Sequence, residues 1–117
     1  MGKLTTHVLD TANGCPGAGI RVELYQCGPD GSTLIRETRT NHDGRCDSPL
    51  LDDTEIRPGT WELVFHTADY FRASGNQLDD PPFLDRITLR FAIADSSRHF
   101  HVPLLVSPWS YSTYRGS

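Results

Sequence analysis

Two histidines have the chemistry and the placement to work together. His7 lies in Leu-Thr-Thr-His-Val-Leu-Asp (4–10) and His101 in His-Phe-His-Val-Pro-Leu-Leu-Val (99–106), near opposite ends of a chain of 117 residues. Imidazole, with an unperturbed pKa of about 6.5, is the side chain that can take up and return a proton near neutrality. Period-two alternation puts His7 on one strand face with Thr5 and Leu9. It puts His101 on a face with His99, Pro103 and Leu105, while Phe100, Val102, Leu104 and Val106 fall on the other. A single histidine in a strand is more often structural, donating to one neighbour and accepting from another. Two of them on the non-core faces of separate strands favour catalysis. Zinc ligation is the competing use, but no third ligand shares those faces. The expectation is therefore water activation by a metal-free pair, with no cofactor.

Arg45 follows Asn41-His42-Asp43-Gly44, a turn sequence that would present it. An exposed charge is the ordinary reading of such an arginine. The functional reading is a planar fork of donors that holds a polarised carbonyl or an anionic heterocycle, a task that suits arginine better than lysine. Tyr114 follows Ser110 and Ser112 on one face of a short strand, where its phenol could donate to a substrate or merely pack. Arg115, Gly116 and Ser117 suggest nothing by residue type alone, since a terminal segment is loose by default. His42, in a turn, and His66, ending a strand, have no evident role. His99 shares the face of His101 and is expected at the mouth of any groove, outside the catalytic set.

The elements that must carry these residues are short strands. Leu4–Asp10, Ile20–Gln26, Thr33–Thr40, Trp61–Phe65, Arg86–Ala94 and 99–106 alternate with period two. A last short strand follows the Ser107-Pro108 break. Thr11–Gly19 reads as a long turn, and Cys27–Ser32 as a hairpin loop built on Asp30-Gly31. Thr33–Thr40 is charged at alternate positions, as in an edge strand. The stretch 46–58 is polar, with one or two short pairings at most. Thr67 is placed as the N-cap of the single helix, which runs to about Ser74 and stops at Gly75. Asn76–Pro82 is an acidic loop, without the ligand spacing of a calcium site. About eight strands and one helix give an all-β sandwich rather than an α/β fold.

A chain of this length suits one domain over residues 1–117, with apolar content for a single core. Formal charge is −4 and the pI about 5.6, which gives no electrostatic case for nucleic acid or an anionic membrane. No stretch approaches the roughly 20 apolar residues of a membrane span. The beginning of the sequence carries no apolar signal region, so a cytoplasmic location is expected. The three cysteines, Cys15, Cys27 and Cys46, follow no metal spacing and read as reduced structural thiols.

Thr-His-Val-Leu-Asp (6–10), Gly44-Arg45, Trp61 through Phe71, His-Phe-His-Val-Pro-Leu-Leu-Val-Ser-Pro (99–108) and the closing Tyr-Arg-Gly-Ser together resemble the transthyretin-like family. More narrowly they are similar to its enzymatic branch, the 5-hydroxyisourate hydrolases, in order and over essentially the whole length. Phe100 stands where that motif often has Tyr, on the core face and away from the chemistry. The resemblance implies a transthyretin-like β-sandwich that pairs edge to edge into a dimer. Two dimers would stack face to face into a homotetramer, with sites in the groove between them. It implies hydrolysis of a small cyclic amide, 5-hydroxyisourate, in urate degradation. His7, Arg45 and His101 match the family's active-site set by position. Tyr114, Arg115, Gly116 and Ser117 are implied as substrate contacts. Either histidine could be the base. A carrier of small aromatic ligands in the same groove is the alternative, and it would leave the histidines and Arg45 idle. A purely structural interaction domain is a third and weaker reading.

Overall fold

The alternation in the first segment is realised as β1 (Leu4–Asp10), with Leu4, Thr6, Val8 and Asp10 buried and Thr5, His7 and Leu9 half-buried. A computed structural model describes residues 2–116, so the expectation placed on Ser117 lies outside the described residues. The other strands are β2 (Cys15–Pro16), β3 (Arg21–Gly28), β4 (Gly31–Arg39), β5 (Gly59–Phe65), β6 (Ile87–Ile93), β7 (Phe100–Val106) and β8 (Tyr111–Thr113); the helix is α1 (Thr67–Ala73). They form two four-stranded sheets, ordered β2-β1-β7-β8 and β4-β3-β5-β6. The all-β sandwich expected from the strand count is the fold observed.

All strand pairs are antiparallel except β1 and β7, which run parallel from Leu4↔Phe100 to Asp10↔Val106. This register sets Thr5 beside His101, His7 beside Pro103 and Leu9 beside Leu105. Their opposite face meets the second sheet. Val8, Val102, Leu104 and Val106 pack in one core with Val22, Leu24, Trp61, Leu63, Phe65 and Ile93. Leu50, Leu51 and Phe71 join the same core from outside the strands. Trp61 and Phe65 are buried as expected, whereas Phe91 is only partly so.

Three local expectations need correction. The hairpin loop placed at Cys27–Ser32 contracts to the turn residues Pro29 and Asp30, because Cys27↔Ser32 and Gly28↔Gly31 continue the ladder. Gly31 makes this feasible with φ of 117°, a region that disfavours a side chain. Inside the turn assigned to 11–19, Cys15 and Pro16 form a short pairing with Leu9 and Asp10. Thr67 is not the N-cap. His66 holds that place without a side-chain cap, Thr67 is buried as the first helical residue, and the Asp85 carbonyl satisfies the Ala68 N–H. The helix end matches its sequence signal. Gly75 N–H donates to the Arg72 carbonyl and Asn76 N–H to that of Phe71, a Schellman closure with Gly75 at φ 89°.

Buried polar groups tie helix and sheet together. Asp10, 1% exposed, accepts hydrogen bonds from Tyr70 Oη at 2.7 Å, Asn13 Nδ2 at 2.7 Å, and the backbone N–H groups of Ala12 and Asn13. Burial pushes its pKa up, but these donors outweigh burial and hold the carboxyl below its ordinary value. Burial and the neighbouring Asp10 push the Tyr70 phenol up. On the other sheet, His66 Nε2 lies 2.8 Å from Glu23 Oε1, a contact that holds the Glu23 carboxyl below its ordinary value.

Candidate active site

The half-buried face of β1 and β7 opens into a pocket of about 360 Å³ lined by Thr5, Thr6, Arg45, Cys46, Ser48, His99 and His101. Arg45 reaches it through a tight turn. Asn41 Oδ1 accepts from the backbone N–H groups of Asp43 (2.9 Å) and Arg45 (3.2 Å), and Asn41 N–H donates to the Arg45 carbonyl. Gly44, at φ 76°, passes so close to β1 that a Cβ would stand 2.3 Å from the Val8 carbonyl oxygen. Its own carbonyl accepts from Val8 N–H at 2.8 Å, and an isolated bridge joins His7 and Arg45. The turn is thus sewn to the strand that carries His7. Arg45 is exposed, and no ion pair among the described residues involves it.

His101 is half-buried, with Nδ1 2.9 Å from Thr5 Oγ1. Burial, then the charges of Arg45, His7 and His99, push its pKa below the ordinary imidazole value. The ring is therefore neutral at neutral pH, as a general base must be. His7 lies next along the same face without lining the pocket. Its Nε2 is 3.0 Å from the Asp43 carbonyl oxygen. A carbonyl only accepts, so Nε2 carries the hydrogen and a neutral His7 keeps its lone pair on Nδ1.

Gly116 also reaches this site. Its N–H donates to the His101 carbonyl at 2.7 Å, and the His101 N–H donates back to the Gly116 carbonyl at 3.4 Å. The expected contacts from Tyr114 and Arg115 are not brought to the pocket within one chain. Both line a separate cleft of about 450 Å³ between the edges of β6 and β8, where the Arg115 guanidinium stacks 4.3 Å above the Phe100 ring.

Thr5, Thr6, Cys46 and Ser48 line the pocket without having been site candidates in the sequence; only the alternation of Thr5 with His7 pointed to this face. Cys46 is no nucleophile. Burial, helped by Asp47, pushes its thiol up to about 11, so it stays protonated. Among the described residues no three His, Cys, Asp or Glu side chains gather as a metal site would require. The arrangement puts one neutral imidazole and one guanidinium against the same small volume, as water activation beside a polarised carbonyl needs.

Such a site on such a sandwich has known relatives. The HIUase/Transthyretin family model matches residues 4–116, and the chain belongs to that family. Within it, the chain resembles the enzymes. It is 60% identical over 117 residues to a 5-hydroxyisourate hydrolase of Pseudomonas aeruginosa, covering 100% of this chain and 93% of the other. The structure of a 5-hydroxyisourate hydrolase from Klebsiella pneumoniae superposes with a TM-score of 0.82 at 31% identity, covering 100% of both chains. A crystal structure of (S)-allantoin synthase gives a TM-score of 0.92 at 47% identity, covering 99% of this chain but only 44% of that one.

Proposed function

We propose that this chain hydrolyses 5-hydroxyisourate to 2-oxo-4-hydroxy-4-carboxy-5-ureidoimidazoline, with His101 as general base and Arg45 as the group that stabilises the oxyanion. The observation that carries this reading is the meeting of His101 and Arg45 in one pocket. A water held beside His101 gives its proton to the free ring nitrogen, Nε2, as its oxygen attacks the cyclic amide carbonyl. Arg45 meets the negative charge that develops on the carbonyl oxygen. The C–N bond then breaks, and the proton returns from His101 to the departing nitrogen. His7, anchored by the Asp43 carbonyl and bridged to Arg45, lies next along the strand face outside the pocket, and is assigned to orient substrate at its edge. General-base action of this kind contributes about 10²- to 10⁴-fold.

The same reading includes a homotetramer. Leu9 and Leu105 are half-buried on the histidine face, and Tyr111 and Tyr114 are exposed at the β8 edge. Pairing through the β6 and β8 edges would cover the tyrosines, and stacking of two dimers would cover the leucines and close the pocket from water.

The test follows ultraviolet absorbance after urate oxidase converts urate to 5-hydroxyisourate. The expected result is faster decay of the hydroxyisourate band with this protein, lost in His101→Ala. Decay at the spontaneous rate would overturn the reading and favour a carrier, which returns its ligand unchanged.

A further inference from the structure

We propose that Thr5 is a positioning residue for this site, holding His101 in the tautomer that leaves Nε2 free to act as the base. The inference rests on the hydrolase reading above and adds to it a residue from outside the histidine–arginine set.

The parallel register makes Thr5 and His101 direct neighbours on one face, and Thr5 Oγ1 stands 2.9 Å from Nδ1. Among the described residues Nε2 has no hydrogen-bond partner, so Thr5 is the only side chain that selects between the ring nitrogens. A hydroxyl both donates and accepts, which leaves two polarities. Where Thr5 donates to Nδ1, the ring hydrogen sits on Nε2 and no lone pair faces the substrate. Where Nδ1–H donates to Thr5, Nε2 carries the lone pair.

The general-base reading needs the second arrangement, and a neighbouring contact accommodates it. His99 Nε2 approaches the same Oγ1 at 3.4 Å, and in its Nδ1–H tautomer it offers the hydroxyl hydrogen an acceptor. The chain then runs from His101 Nδ1–H to Thr5 Oγ1–H to His99 Nε2. Threonine suits the task because its β-branched side chain is stiff about χ1, and on a strand it keeps the hydroxyl in one place. The hydrogen bond at one imidazole nitrogen decides what the other can do.

The decisive measurement is the ¹⁵N spectrum of the histidine rings in the full chain at neutral pH, read beside steady-state kinetics for Thr5→Val and Thr5→Ser. In the wild type His101 should be protonated at Nδ1 and bare at Nε2. Thr5→Val should move the hydrogen to Nε2 and lower kcat at least about tenfold with little change in KM. Thr5→Ser should restore both tautomer and rate. A wild-type ring protonated at Nε2 would overturn the proposal without any variant, and so would a Thr5→Val chain with unchanged tautomer and kcat. The spectrum needs no substrate. Absence of hydroxyisourate turnover in the wild type would strike the reaction, and with it the role given to Nε2, while the tautomer still reports whether Thr5 sets the ring.

Discussion

Gly116 lies so close to His101 that a Cβ added to it would stand 3.0 Å from Cδ2 and 3.1 Å from Cβ of the histidine. Its backbone also exchanges hydrogen bonds with the His101 backbone. A glycine here backs the ring while allowing the chain to pass directly over it. Gly116→Ala should push the imidazole off its contact with Thr5 and lower kcat at least about tenfold, a scale at which small misplacement of a catalytic group is felt. Thermal unfolding should change little by comparison. Full activity in Gly116→Ala would show that the ring does not need this backing.

Arg45 and His101 are coupled through charge as well as position. Burial and then the Arg45 charge disfavour the imidazolium, so the folded-state pKa of His101 lies below its unfolded value of about 6.5. Removing Arg45 takes away one cause and lets that pKa rise. In Arg45→Ala the acid limb of the kcat/KM profile should therefore move to higher pH, on top of a loss of at least about tenfold at its optimum. The sign for stability is the same: His101 contributes fully above about pH 6.5 and progressively less as pH falls through its lowered folded value. An acid limb that stays in place would separate the measured base from His101.

Gly44 allows no side chain. At φ 76° and with the Val8 carbonyl in the way, Gly44→Ala combines backbone strain with a steric clash. A loss of about 1–3 kcal/mol in urea unfolding is expected. Activity should fall further than stability, because the turn that breaks also places Arg45. Equal loss of both would argue that the turn matters only for folding.

Asp10 and Tyr70 test the structural half of the molecule. Asp10→Ala orphans a half-buried phenol and two backbone donors, and should cost about 2–4 kcal/mol of unfolding free energy. Tyr70→Phe removes one bond and leaves the carboxylate its Ala12 and Asn13 donors, so about 1 kcal/mol is expected. The Asp10 contribution should be lost as pH falls below its ordinary carboxylate range and through its lowered folded value. A Tyr70→Phe chain as unstable as Asp10→Ala would contradict this partition.

The histidine faces were legible because alternation in β1 and β7 is regular and a strand has only two faces. Adjacency of the strands was not, since period two says which way a residue points and nothing about its neighbour. That is why Thr5 escaped notice. A threonine in a strand is an ordinary β-former, and only the register with His101 gives its hydroxyl a task. Cys46 and Ser48 lie in a polar stretch whose few pairings leave no periodic signal. The helix cap was misread for a different reason. Thr67 is a good capping residue in isolation, but the core claims its side chain, and a carbonyl from Asp85 does the capping instead. Within one chain Tyr114 follows the end of β8 and lines the cleft beside β6, a placement that residue type does not announce.

The single parallel pair has a consequence for how the molecule comes into being. Val8 faces Leu104, so β1, which has only the two-residue β2 on its other edge, must wait for a segment made nearly a whole chain-length later before it finds its parallel neighbour. Long-range pairings of this kind bear a large loop-closure cost and form slowly. During synthesis β1 leaves the ribosome with a bare edge, while β3, β4 and β5 already have partners close in sequence. The histidine pocket, built across that last seam, is therefore one of the final features to assemble, and its activity would report that folding has finished.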